Sequence, residues 1–262
     1  MDLGLKDKVA IVTGGSEGIG RATAQSLGRE GVRVVICARR ADVLEQTAQE
    51  VAEGTGAEIV PVQADMRNPT DVERLVESAV KRFGRLDILV NNAGTSAAGA
   101  FESVSDEAWQ ADLDLKLFGA IRASRAAVPH LRQAGGGSIV NLLNLGAKQP
   151  GAKSVPTSVS RAAGMALMKA LSKELAPDNI RVNGVMIGLI KSGQNRRRWE
   201  REGGSLSVEE FYAESAKRMG IPLGRVGEAE EVGDLITFLC SSRGAYISGV
   251  AINMDGGLSG VV

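Results

Sequence analysis

Val9-Ala10-Ile11-Val12-Thr13-Gly14-Gly15-Ser16-Glu17-Gly18-Ile19-Gly20-Arg21-Ala22-Thr23-Ala24 joins an apolar segment to a helix start through a glycine-rich turn. Its first five residues are an apolar run of strand length, and its last residues begin a helix. Between them Gly14, Gly18 and Gly20 permit a tight turn and a close approach of backbone to a ligand. A strand entering a helix through such a turn aims free N–H groups at an anion, most often a pyrophosphate. The spacing is G-x-x-x-G-x-G rather than G-x-G-x-x-G. Its context, a strand before and a helix after, is the one in which a glycine-rich turn indicates nucleotide binding. The competing reading is a tight turn without a ligand.

Along the rest of the chain, short apolar runs alternate with helical stretches. Strands are expected near 8–13, 32–37, 58–63, 86–91, 137–143, 180–186 and 250–254, and helices near 18–30, 41–53, 69–83, 106–133, 156–176, 206–219 and 228–241. Val34-Val35-Ile36-Cys37 is continuously apolar, as strands buried on both faces of a parallel sheet are. Alternating strands and helices imply a single α/β domain over 1–262 with a doubly wound, Rossmann-type parallel sheet. No linker or internal repeat interrupts the pattern.

Composition narrows the function classes. The 262 residues are 44% hydrophobic and 24% charged, with a formal net charge of +0. That balance argues against a dedicated nucleic-acid or membrane-surface protein. No apolar run is long enough to span a bilayer and no signal-peptide core opens the chain, so a soluble, cytoplasmic protein is expected. Cys37 and Cys240 are too far apart in sequence for a zinc spacing, and the single histidine, His130, excludes a histidine metal cluster. His130 lies in an apolar helical stretch and reads as structural, not as part of a Ser-His-Asp triad.

The second strand runs into Ala38-Arg39-Arg40, where the adenosine ribose of a dinucleotide belongs. An acidic residue there would bind a free 2′-hydroxyl; a guanidinium suits a 2′-phosphate. NADP is therefore expected, with NAD the alternative and Glu17 in the turn speaking mildly against the phosphate. Asp65 and Asn91-Asn92-Ala93-Gly94 follow the third and fourth strands, at carboxyl ends where such sheets bind ligands. Asp65 can accept from an adenine amino group, and Asn92 either faces the cofactor or locks its own turn.

Thr13-Gly14-x-x-x-Gly18-Ile19-Gly20, Asp65, Asn91-Asn92-Ala93-Gly94, Gly137-Ser138-Ile139-Val140-Asn141, Ile180-Arg181-Val182-Asn183 and Asp255-Gly256-Gly257 follow one another in a recognisable order. In these motifs the chain resembles the short-chain dehydrogenase/reductase family over essentially its whole length. The resemblance implies about seven strands, a nicotinamide cofactor, carbonyl–alcohol redox chemistry on a small-molecule substrate, and a homotetramer or homodimer. With the residues read above, it implies cofactor contacts from Gly14, Ser16, Gly18, Ile19, Gly20, Arg39, Arg40, Asp65, Met66, Asn92, Ala93, Gly94, Arg161, Ile190 and Ser192, and no metal.

The family's chemistry rests on asparagine, serine, tyrosine and lysine. Here the segment Thr157-Ser158-Val159-Ser160-Arg161, registered by Lys169-Ala170-Leu171-Ser172-Lys173, puts Thr157 at the tyrosine position and Arg161 at the lysine position. The serine, thirteen residues before the tyrosine in many members, becomes Asn144, and the asparagine becomes Lys116. Threonine is a far weaker acid than a phenol, and arginine holds its proton. Lys116 is the one titratable replacement, and proximity to Arg161 with partial desolvation would disfavour its charge. Three readings stay open: redox chemistry through non-standard groups, a non-redox lyase or isomerase that stabilises an oxyanion, and a catalytically silent cofactor-binding subunit. Neither tyrosine falls in the segment; Tyr212 lies where it can reach the site from a lid expected over 188–220. Arg196-Arg197-Arg198 within that lid either attracts an acidic substrate or forms an exposed helical face balanced by nearby glutamates.

Overall fold

The computed structural model describes residues 1–202 and 204–262. Its strands are β1 (Val9–Thr13), β2 (Arg33–Ala38), β3 (Ile59–Gln63), β4 (Ile88–Asn91), β5 (Gly137–Asn144), β6 (Ile180–Ile187) and β7 (Ala251–Met254). All pair in parallel, in the order β3-β2-β1-β4-β5-β6-β7. The α-helices are α1 (Gly18–Arg29), α2 (Ala41–Thr55), α3 (Pro69–Phe83), α4 (Asp106–Leu113), α5 (Gly119–Gln133), α6 (Thr157–Glu174), α7 (Gly193–Glu202), α8 (Val208–Met219) and α9 (Ala229–Cys240).

The continuous apolar runs have a simple cause. Side chains alternate across a strand, and both faces of this sheet are covered. Ala10, Val12, Val34 and Ile36 pack into one apolar layer with Leu27 of α1, Leu44 of α2 and Ile236 of α9. Val9, Ile11, Val35 and Cys37 face the other way, against Leu75 of α3, Ala127 and Leu131 of α5, and Met168 of α6. From β1 the chain winds outward to β2 and β3, then crosses back to β4 on the other side of β1. That reversal opens a crevice at the carboxyl ends of β1 and β4.

Two elements differ from the sequence expectation. The helix expected over 106–133 is interrupted by one wide turn of π-helix at Asp114–Phe118. Gly119, just beyond it, approaches Met66 so closely that a Cβ would lie 3.1 Å from the Met66 carbonyl oxygen. The expected lid segment also carries α7, capped by Ser192, whose Oγ accepts from the Asn195 N–H at 3.3 Å. No helix among the described residues is long and apolar enough to cross a membrane.

Candidate active site and cofactor cleft

A cleft of about 730 Å³ opens over the carboxyl ends of the strands at the crevice. Gly14, Ser16, Gly18, Ile19, Gly20, Arg39, Arg40, Asp65, Met66, Asn92, Ala93, Gly94, Ile190 and Ser192 line it, as do Asn144, Thr157 and Arg161. The glycines are sterically required. Gly14 and Gly18 have φ of +67° and +53°, and a Cβ on Gly20 would collide with the Gly14 carbonyl. Asn92 braces this turn: its Nδ2 donates to the carbonyls of Thr13 (2.8 Å) and Gly14 (3.0 Å). Thr13 Oγ1 answers by accepting from the Asn92 and Ala93 N–H groups, both at 3.0 Å. The Asn92 amide thus ties the end of β4 to the end of β1.

At the outer end, Arg39 and Arg40 are exposed on the rim. Asp65 is engaged by Arg67, whose Nη2 lies 2.5 Å from Oδ2, and that bond holds the carboxyl below its usual range. A carboxylate has lone pairs to spare for a further donor. Glu17 accepts from Arg40 Nη2 at 2.7 Å and from Arg197 Nη1 at 3.0 Å. Burial pushes its carboxyl up, but the two arginines outweigh burial and hold it low. Of the three lid arginines, Arg196 and Arg198 pair along their own helix with Glu200 and Glu202; Arg197 alone crosses to the glycine turn.

At the inner end, Lys116, Thr157, Arg161 and Asn144 converge from the wide turn, the start of α6 and the end of β5. Lys116 does not line the cleft. Its side chain is 0% exposed, and it reaches the cleft only through Thr157, donating to Oγ1 at 2.9 Å. The same Oγ1 accepts from the Ala97 N–H at 3.0 Å. A hydroxyl has two acceptor lone pairs and one proton, so with both lone pairs taken the Thr157 O–H is left to donate towards the cleft. Behind Lys116 stands Asp112 of α4, 1% exposed in its side chain. One carboxylate oxygen pairs at very short range with Lys116 Nζ, and the other accepts from Ser160 Oγ at 2.6 Å.

Burial draws the Lys116 ammonium down to about 8; the Asp112 hydrogen bond opposes this and the charge of Arg161 reinforces it. Burial likewise brings Arg161 down to about 10, with Asp112 opposing, so the guanidinium stays charged at neutral pH. Arg161 Nη1 donates to the Leu142 carbonyl at 2.5 Å, and a Cβ on Gly94 would fall on its Nη2. Arg161 Nε and Asn144 Oδ1 are buried and have no partner among the described residues.

Tyr212 does not line the cleft. It is buried in a satellite cluster with Ala216, Ile221 and Val226, under the Lys191 ammonium. Burial raises its phenol, with Lys191 opposing. Tyr246 is fully exposed. Conversely, Asp112 and Ser160 escape a sequence search for site residues, and Arg197 stands out there only as one of three consecutive lid arginines. Only the i, i+4 spacing of Asp112 and Lys116 signals either of the first two.

Residues 14–259 match the family described as Enoyl-(Acyl carrier protein) reductase. Human Dehydrogenase/reductase SDR family member 4 is 35% identical over 254 residues, covering 97% of this chain and 88% of that protein. The chain belongs to the short-chain dehydrogenase/reductase family. Among solved members of this oxidoreductase family, L-sorbose reductase from Gluconobacter frateurii, complexed with NADPH and L-sorbose, has a TM-score of 0.94 at 35% identity, covering 100% of both chains. A short-chain oxidoreductase from Pseudomonas aeruginosa PAO1, described as containing an atypical catalytic center and solved with NADPH bound, has a TM-score of 0.93 at 37% identity, covering 99% of both chains.

Proposed function

We propose that this chain is an NADP(H)-dependent oxidoreductase of a small carbonyl or alcohol substrate whose proton is handled by Lys116 through Thr157. In this reading Lys116, Asn144, Thr157 and Arg161 stand where other family members carry asparagine, serine, tyrosine and lysine. The observation that carries it is the chain of contacts from Asp112 to Lys116 Nζ to Thr157 Oγ1, ending at the cleft.

The residues fit a dinucleotide. The glycine turn keeps its tight shape only because Gly20 has no Cβ to meet the Gly14 carbonyl and Asn92 Nδ2, and Arg161 Nε and Asn144 Oδ1, buried in the cleft wall, have no partner among the described residues. The N–H groups of the turn would hold the pyrophosphate, Arg39 and Arg40 the 2′-phosphate, Asp65 and Met66 the adenine. Asn92 to Gly94 and Arg161 would border the nicotinamide ribose, with Ile190 and Ser192 at the carboxamide. NADP(H), when bound, supplies or accepts the hydride at the substrate carbon.

The protein's own part in reduction is the proton. Thr157 donates its hydroxyl proton to the substrate oxygen as Lys116 passes one of its own to Thr157 Oγ1. The threonine thus ends as it began, and Lys116 ends neutral beside Asp112. Asn144 holds the substrate oxygen, and the fixed charge of Arg161 stabilises negative charge developing on it. Oxidation runs the same path backwards. An ammonium near 8 suits this role, because proton transfer is most efficient from a group titrating close to working pH. We further propose that 1–262 is one domain in which 188–220 covers the substrate.

Kinetics test the proposal. Reduction should fall as pH rises through about 8, where Lys116 loses its proton. Lys116→Met and Thr157→Val should each lower turnover by ~10²–10⁴ with NADPH affinity nearly intact, while Thr157→Ser should retain most activity. Ketone reduction that survives both substitutions would overturn the proposal. No NADPH turnover with any carbonyl compound would instead favour the silent subunit.

A further inference from the structure

The contact between the lid and the glycine turn offers more than closure. Gly193 at the start of α7 sits so near that a Cβ there would lie 3.0 Å from Glu17 Oε2. Beside it the Gln194 side chain fastens the same end of the helix to the loop after β4, donating to the Gly94 carbonyl at 3.1 Å and accepting from the Ser96 N–H at 3.0 Å. About one turn further along α7, Arg197 reaches Glu17 on one carboxylate oxygen while Arg40 takes the other. Two guanidinium groups, one from the turn between β2 and α2 and one from the lid, therefore share a single anion at the adenosine end of the cleft.

These partners are exposed: side-chain accessibilities are 50% for Arg197, 56% for Arg40 and 36% for Glu17. Exposed pairs of this kind are weak and exchangeable. A phosphate monoester carries nearly twice the charge of a carboxylate and has three acceptor oxygens, and guanidinium groups grip it in paired hydrogen bonds. Resting on the NADP reading above, we infer that Arg197 is a phosphate-recognition residue supplied by the lid. Glu17 holds Arg197 and Arg40 together until the 2′-phosphate takes both, so that lid closure is selective for the phosphorylated cofactor. The glutamate in the turn is then a placeholder whose charge competes with the phosphate.

Calorimetric titration of the full-length protein with 2′,5′-ADP and with 5′-AMP isolates this contact from the nicotinamide. Wild type should bind 2′,5′-ADP more tightly. Arg197→Gln should weaken 2′,5′-ADP roughly tenfold, the loss of about one charge-assisted hydrogen bond, and leave 5′-AMP unchanged. Glu17→Gln should tighten 2′,5′-ADP, and adding Arg197→Gln should erase that gain. Equal effects of Arg197→Gln on both nucleotides, or none on either, would overturn the inference and leave the NADP reading standing. Wild type that fails to distinguish the two nucleotides would overturn both.

Discussion

Replacing Asp112 by asparagine separates the energetics of the buried ion pair from those of the fold. Asparagine keeps the shape and an acceptor for Ser160 or Lys116, but it removes the charge. In the wild type both side chains are enclosed, at 1% and 0% exposure. Deleting one partner of a buried pair costs ~3–5 kcal/mol, because the other charge is left without compensation. Lys116 has an escape, however, since it already titrates at about 8 and can release its proton. The cost must therefore depend on pH. At pH 6 Lys116 is protonated, and Asp112→Asn either strands the ammonium or forces it neutral well below its wild-type pKa. Each unit of that further shift costs ~1.4 kcal/mol, so a loss of roughly 3 kcal/mol is expected, or a fall of about 6–12 °C in melting temperature for a chain of this size. At pH 9 the wild-type lysine is mostly neutral, the carboxylate is the unpaired group, and its removal should be near-neutral. The sign agrees with linkage. Between about 8 and 10.5 the unfolded chain binds a lysine proton that the folded one does not, so the Lys116 site favours folding as pH rises through that window. Melting curves by circular dichroism at the two pH values check this. An equal loss at pH 6 and pH 9, or no loss at either, would refute the argument.

Two further outcomes are expected. NADP(H) should bind more tightly than NAD(H), and Arg39→Ala should narrow that preference; fluorescence titration of both cofactors against both proteins decides it. The protein should be a homotetramer or homodimer, because Ala166 and Ala170 are exposed on α6 and allow close helix packing across a two-fold axis; light scattering that shows a monomer at micromolar concentration would contradict this.

The sheet was legible because its physics is written locally. A strand buried on both faces needs an unbroken apolar run, and the glycine turn between β1 and α1 needs residues without a Cβ. The break between α4 and α5 was not legible, since apolar spacing continues through it and nothing in Asp114-Leu115-Lys116-Leu117-Phe118 announces a wider turn. Helix α7 buries no residue, so it has no apolar stripe for periodicity to find. Lys116, Thr157, Arg161 and Asn144 were findable by position, but the order of the contacts was not. That Lys116 lies behind Thr157 depends on burial, and the second lone pair of Thr157 is taken by an N–H sixty residues away, at Ala97. Asn92 was expected either to face the cofactor or to lock its turn; its Nδ2 is committed to the turn.

The π-helical turn at Asp114–Phe118 sets the direction in which Lys116 leaves the helix. In an unbroken α-helix the seven residues from Lys116 to Ala123 make almost two full turns. The ammonium would then stand in line with Ala123, Ala127 and Leu131, the stripe that α5 buries in the apolar layer. The wide turn takes the lysine out of that line and lets it meet Asp112 and Thr157. A π turn holds one extra residue within about the rotation of an α-helical turn, so straightening this segment into regular helix at the same length would rotate one half against the other by ~100°. Either the alanine stripe would leave the sheet or the lysine would leave the threonine. The aim of Lys116 is thus stored in a backbone irregularity, which no side-chain substitution elsewhere can supply.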